Sequence, residues 1–436
     1  MTSLFRHRIF GVTIIVFIFL WGVVPRAQAQ EVVSVPQLSA GDTSWVLTSS
    51  ALVLLMIVPG LALFYGGMVR SKNVLSTMMH SFISICLVSV VWVFWGYSLA
   101  FGPDIGGIIG NLDFVGLAGV GPEPSVGSSI PHLAFMVFQL MFAGITVALI
   151  SGAIAERIKF SAFVLFGMLW VTCIYAPLAH WVWGGGWLAG LGDLDFAGGT
   201  VVHISSGVAA LTCALVLGKR HGYGSDNMSP HNVPFTVIGA GLLWVGWFGF
   251  NAGSALAADG IAAGAFVATQ VAAAAGALAW LGVEWGYRGK PTILGAASGA
   301  VAGLVAITPA AGFVGPVSAI LIGLGGGVVC YLGVFLKNKM GYDDALDVLG
   351  IHGIGGTWGA LATGLFASVG GGTGLFFGNP GQVWIQAIGV GATWIFAGVG
   401  TFIILKIVDG VVGLRVSKEA EILGLDLTQH SERAYG

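Results

Sequence analysis

DFAGGTVVHISS, residues Asp195 to Ser206, and DALDVLGIHG, residues Asp344 to Gly353, decide how this chain is read. In each, an Asp is followed eight residues later by a His inside a long apolar run, so Asp195 to His203 recurs as Asp344 to His352. Ionisable groups at membrane depth are costly, and by default they mark a substrate or proton path. That these runs lie in a membrane follows from composition. Of 436 residues, 56% are hydrophobic, 8% are charged and 71 are glycine, whereas an ordinary soluble domain is about 25% charged. This is the composition of a polytopic membrane protein, and a formal net charge of -2 gives nucleic acid or another polyanion nothing to bind. Cys86, Cys173, Cys213 and Cys330 form no CxxC pair, so they are read as packing residues, with no metal or cofactor expected and no enzymatic role.

Working outward, residues 1–29 carry Arg6 and Arg8, an apolar stretch from Ile9 to Val24, and Ala27-Gln28-Ala29. A basic start, an apolar centre and an AxA site predict a signal peptide cleaved after Ala29, the alternative being an uncleaved and rather short first helix. A periplasmic leader over 30–44 follows. Apolar runs of spanning length then recur at about 45–69, 74–101, 131–154, 160–182, 200–218, 233–256, 261–286, 292–309, 315–337, 346–368 and 382–408. The expectation is an all-α integral membrane protein with eleven transmembrane helices over 45–408 and a polar C-terminal tail over 409–436. Arg70 and Lys72, Arg157 and Lys159, Lys219 and Arg220, Arg288 and Lys290, and Lys337 and Lys339 fall at every second connection. The positive-inside rule therefore puts those connections and the tail in the cytoplasm and the mature N-terminus outside.

With that topology, the segment after Asp195 runs inward and the one after Asp344 runs outward. The same spacing in opposite orientations is the mark of an inverted repeat, here five helices against five with the eleventh left over, and it places the functional site near the midplane. Phe64-Tyr65-Gly66-Gly67 against Phe250-Asn251-Ala252-Gly253 is a weaker echo. If each helix began at its Asp, each His would lie about 12 Å from its own face, and in a core about 30 Å thick the two depths would differ by about 6 Å. Small residues such as Gly323, Gly325, Gly326 and Gly327 predict closely packed helix faces.

Position alone leaves several residues open. Asp195 and Asp344 at helix starts read as caps or structural braces, or, for Asp195, as a direct cation ligand. Trp183, beside Gly184-Gly185-Gly186, reads as a membrane-belt anchor, Ser254 as a packing hydroxyl, and Phe138, Phe142 and Phe250 as core or lipid-facing rings.

The runs ALFYGGMVRSKNVLS (62–76), ITVALISGAIAERIKFSA (145–162), AHWVWGGG (179–186), LDFAGGTVVHIS (194–205), WFGFNAGSA (247–255), RGKPTILGAASGAVAGLVAITPA (288–310), DDALDVLGIHGIGG (343–356) and VGLRV (412–416) resemble the bacterial branch of the ammonium transporter family. The resemblance covers Asp42 to Gly436, excepting residues 104–130 and 367–381. It implies a homotrimer with a narrow hydrophobic pore in each subunit, carrying ammonium or ammonia, and methylammonium, inward. It further implies ammonium binding at Trp183 and Ser254 with Phe142 and Phe138 beside them, a Phe142–Phe250 gate, His203 and His352 as paired pore residues, and Asp195 as a brace. The tail is similar to one that packs under the subunits and meets a cytoplasmic PII-type (GlnK-like) signal protein. A Rh-like neutral-gas or water channel on the same fold, and a membrane ammonium sensor acting through its tail, are the competing functions. No kinase or cyclase domain follows the tail, which sets the sequence apart from the sensors.

The residue types suit the substrate. Ammonium and potassium have similar size and charge, so selection has to use ammonium's N–H bonds and its acidity. An aromatic face attracts a cation by about 0.5–2 kcal/mol, a serine hydroxyl accepts an N–H bond, and neutral imidazoles beyond it offer one donor and one acceptor each.

Overall fold

The structure is a computed structural model describing residues 37–125 and 127–435. The signal peptide expected over 1–29 lies outside the described residues. Among the described residues, nine helices are long and apolar enough to cross a membrane: α1 (Ala40–Met68), α2 (Ser71–Phe101), α3 (His132–Ile154), α4 (Phe160–Leu191), α5 (Gly199–Leu217), α6 (Val233–Gly253), α7 (Gly260–Arg288), α9 (Pro316–Met340) and α11 (Gly381–Val412). Two shorter ones complete the set, α8 (Ile293–Ile307) and α10, where Leu349–Gly353 continues as Ile354–Phe366. The eleven expected spans are therefore all helices, and the fold is an all-α membrane protein. Only a two-residue ladder, Asp104–Ile105 against Ile109–Gly110, interrupts it among the described residues.

Boundaries differ where local chemistry intervenes. α1 starts at Ala40 because the Ser39 hydroxyl accepts the Asp42 N–H at 3.2 Å. The first rod of α4 stops at Val182, and the chain turns through Trp183 to Gly186, with Gly185 at φ +85, before Trp187–Leu191 resumes. α11 continues to Val412 and takes the first residues assigned to the tail.

The two halves meet through glycine. A Cβ on Gly207 of α5 would lie 2.2 Å from the Gly353 nitrogen of α10, and one on Gly356 would lie 3.0 Å from the His203 Cβ. Only backbones without side chains can approach this closely, and the approach brings the two His-bearing turns together. The same device operates elsewhere: a Cβ on Gly327 of α9 would meet the Gly276 carbonyl of α7 at 2.4 Å.

Each end of the bundle has its own polar fastening. At one end, Glu156 between α3 and α4 pairs with Arg70 and Arg220, and Arg220 also pairs with Asp343, which joins the α1–α2, α3–α4, α5–α6 and α9–α10 connections. At the other, Asp42 accepts from the Ser129 hydroxyl and the Ala258 N–H, and Gln386 of α11 brackets Leu194 at 2.8 Å on both its N–H and its carbonyl. Connections with lysine and arginine thus gather at one end, as their alternation predicts. The tail lies at that end too. Its short helices α12 (Lys418–Leu423) and α13 (Leu425–His430) dock through Asp426 on the Ser76 N–H and through Leu425 N–H on the Asn73 side chain, each at 2.8 Å.

Candidate functional site

On the side away from the arginines, a cavity of about 310 Å³ is lined by Phe138, Gln139, Phe142, Trp183, Phe196 and Ser254. The turn after α4 brings Trp183 there, and its indole N–H donates to the Asp195 carbonyl at 2.8 Å, which fixes the ring. Ser254 caps the end of α6 and donates its hydroxyl hydrogen to the Phe250 carbonyl at 2.8 Å. Its oxygen keeps lone pairs that can accept an N–H bond.

The floor of this cavity is aromatic. Phe142 stacks on Phe250 with centroids 4.2 Å apart and planes at 20°, Phe138 meets Phe142 at 4.9 Å, and Trp183 presents an edge contact at 5.9 Å. Phe142 and Phe250 are buried to within 1% of complete. Beyond them is a second, much smaller cavity of about 10 Å³ bounded by Leu61, Ile145, Trp247, Val301 and the two histidines. That is room for about one water molecule.

His203 and His352 do meet. Their Nδ1 atoms are 3.2 Å apart and their ring centroids 5.2 Å, at 29°. His203 also stacks on Trp247 at 5.5 Å and contacts the Thr308 hydroxyl through Nε2 at 3.3 Å. The depth argument that brought them together needs correcting, however. α5 begins at Gly199 and α10 at Leu349, so neither helix starts at its Asp. The residues between form a turn, and Gly198 at φ +109 adopts a left-handed conformation to make it.

The two aspartates explain those turns. Asp195 Oδ1 accepts from the N–H groups of Gly198 and Gly199, and Oδ2 from those of Thr200 and Val201 and from the Thr200 hydroxyl. Five donors occupy the carboxylate, so it holds the first turn of α5 and leaves little for a ligand. Asp344 is the weaker counterpart, accepting the Leu349 N–H at 2.8 Å through Oδ2. Burial pushes its carboxyl up to about 6, with the charge of Lys337 opposing.

All nine predicted residues thus fall into one assembly: Trp183, Ser254, Phe138 and Phe142 around the outer cavity, Phe250 in its floor, His203 and His352 behind it, Asp195 and Asp344 at the helix starts. Trp247 and Thr308 belong to it as well and were not foreseen. Each stands inside an apolar run, and only the fold brings them to His203.

Two inverted five-helix halves and a strap, with a polar-lipped aromatic cavity and a narrow histidine-bearing one behind it, define a multi-pass membrane protein. The chain belongs to the Ammonium Transporter Family, whose sequence profile matches residues 44–435. It is 58% identical over 401 residues to the ammonium transporter of Bacillus subtilis, covering 91% of this chain and 98% of that one. It is 52% identical over 400 residues to ammonium transporter Amt1 of Archaeoglobus fulgidus, covering 91% and 100%. Among solved structures, Saccharomyces cerevisiae Mep2 superposes with a TM-score of 0.83 at 39% identity, over 88% of this chain and 89% of that one.

Proposed function

We propose that this protein is an ammonium transporter of the inner membrane that moves ammonium or ammonia, and methylammonium, from periplasm to cytoplasm. Trp183 and Ser254 recruit the cation, with Phe138 and Phe142 completing the site. Phe142 and Phe250 form the gate, and beyond it a neutral molecule or a relayed proton passes His203 and His352, because the narrow apolar lumen imposes a desolvation cost on an ion that nothing there offsets. Asp195 and Asp344 act as structural supports. The observation that carries this reading is the Phe142–Phe250 stack, 4.2 Å between centroids, standing between a cavity with cation-binding groups and one sized for a single small neutral molecule.

The assembly proposed is a homotrimer with a cleaved signal peptide over 1–29, a transporter body over 45–408 and a cytoplasmic tail over 409–436. A PII-type signal protein is its regulatory partner. Co-purification under nitrogen-replete conditions tests that partner, and recovery of the trimer without any PII protein removes it from the reading.

Transport itself is tested in liposomes by measuring methylammonium uptake, current and potassium leak in parallel. Uptake without potassium leak is expected, and current per methylammonium separates transport from a Rh-like neutral-gas or water channel. Activity of a tail-deleted protein separates it from a sensor. Wild-type behaviour in both fluxes from the doubly substituted His203→Leu, His352→Leu protein would show the rings to be packed core.

A further inference from the structure

Thr308, at the end of α8, touches the histidine pair from behind, and its hydrogen bonds can be counted. A threonine hydroxyl has one hydrogen to donate and two lone pairs. Thr308 gives its hydrogen to the Leu304 carbonyl at 2.8 Å, the bond to the preceding turn that threonine commonly makes inside a helix. Its oxygen is then an acceptor toward both remaining neighbours, the indole N–H of Trp247 at 2.9 Å and Nε2 of His203 at 3.3 Å. Indole nitrogen can only donate, so Trp247 occupies one lone pair, and the hydroxyl hydrogen goes to the nearer of the two remaining partners, the Leu304 carbonyl at 2.8 Å rather than Nε2 at 3.3 Å.

The consequences run through both rings. Nε2 of His203 faces an oxygen with no hydrogen left to give, so it carries the hydrogen itself. In a neutral imidazole the other nitrogen is then bare, and Nδ1 of His203 is an acceptor. Nδ1 of His352 lies 3.2 Å from it, and two bare nitrogens at that distance would repel, so His352 donates from Nδ1. Nε2 of His352 is left bare, and it is the one ring nitrogen of the pair that bonds no other residue among the described residues.

We infer that Thr308, held by Trp247, is a positioning residue that places hydrogen on Nε2 of His203 and on Nδ1 of His352, so that the pair offers the passage a single acceptor, Nε2 of His352. This rests on the proposed transport of ammonium. Nε2 of His352 can accept an N–H hydrogen from ammonia in the narrow cavity, whereas Nε2 of His203, which carries its own hydrogen toward Thr308, cannot.

The test is nitrogen-15 magnetic resonance of the histidine-labelled full chain in bilayers near neutral pH, with the two rings assigned from signals lost in His203→Gln and His352→Gln. Wild type is expected to show Nε2–H at His203 and Nδ1–H at His352. Thr308→Val, which keeps the shape and removes the acceptor, should lower the Nδ1–H population of His352 roughly twofold toward an even mixture of the two neutral forms, and Thr308→Ser should restore it. Nδ1–H at His203 in wild type, or a Thr308→Val spectrum matching wild type, overturns the inference. If Thr308→Val does not fold, the wild-type assignment alone decides. Methylammonium uptake by the same wild-type samples separates the two readings: the expected tautomers without uptake would remove the transport proposal and leave this assignment standing.

Discussion

Trp183 has already committed its N–H to the Asp195 carbonyl at 2.8 Å, so what it can offer a cation is the ring. A cation over an aromatic face gains about 0.5–2 kcal/mol, and Trp183→Leu should therefore raise the half-saturating methylammonium concentration about 2- to 30-fold while leaving an open path. An unchanged half-saturation in liposome uptake would return Trp183 to the role of a membrane-belt anchor. His352→Asp is expected to do something different, since a carboxylate in the narrow cavity gives an ion the counter-charge it lacked. The prediction is measurable potassium flux alongside methylammonium, and a variant as tight to potassium as wild type contradicts it. The residues behind these predictions were legible in unequal degree. The histidines announced themselves by a repeated spacing, and Trp183 and Ser254 only by family resemblance. Thr308 and Trp247 were silent, because one hydroxyl and one indole in apolar runs look like ordinary packing until α6 and α8 bring them against His203.

Helices α5 and α10 are where the repeat becomes a site, and glycine sets their distance. A Cβ on Gly207 would sit 2.2 Å from the Gly353 nitrogen, so Gly207→Val has to push the helices apart. Overpacking of this kind costs roughly 1–3 kcal/mol, and the displacement would pull His203 from His352. We expect a lower melting temperature and loss of methylammonium uptake, whereas Gly282→Ala in α7, where a Cβ meets nothing within 4 Å, should be neutral or stabilising by about 0.5–1 kcal/mol. Equal effects from the two substitutions would mean the α5–α10 crossing is not special. Spans and their order were legible because hydropathy and the lysine and arginine alternation are properties of whole segments. The starts of α5 and α10 were not, because a carboxylate that collects several N–H groups, as Asp195 does, builds a turn ahead of the helix that apolar patterning does not register.

Across the whole molecule, one buried charge network ties the arginine-bearing end together, and it makes stability depend on pH. Glu156 is fully buried at its side chain and bonded by Arg70 and Arg220, and Arg220 pairs with Asp343 at 2.8 Å. Burial by itself would raise both carboxyls, but Arg220 and Arg70 hold Glu156, and Arg220 and Arg157 hold Asp343, below their ordinary values. A depressed carboxyl contributes stability that is fully present above its unfolded value, about 4, and is lost as pH falls through the folded one. Wild type should therefore melt at a nearly constant temperature from pH 7 to 5, as far as these two groups decide it, and lose stability below about 4. Arg220→Met removes the shared partner. Asp343 is then a buried carboxylate without its main counter-charge, and breaking a buried pair from one side costs roughly 3–5 kcal/mol. With that partner gone, burial raises the Asp343 carboxyl, so the variant binds a proton on folding and regains stability as pH falls from 7 toward 5. Thermal unfolding of the detergent-solubilised protein across that range checks the sign as well as the size. A variant that melts with wild type and follows the same pH trend would show that the four connections are held by helix packing alone, and that the network contributes specificity of their arrangement rather than stability.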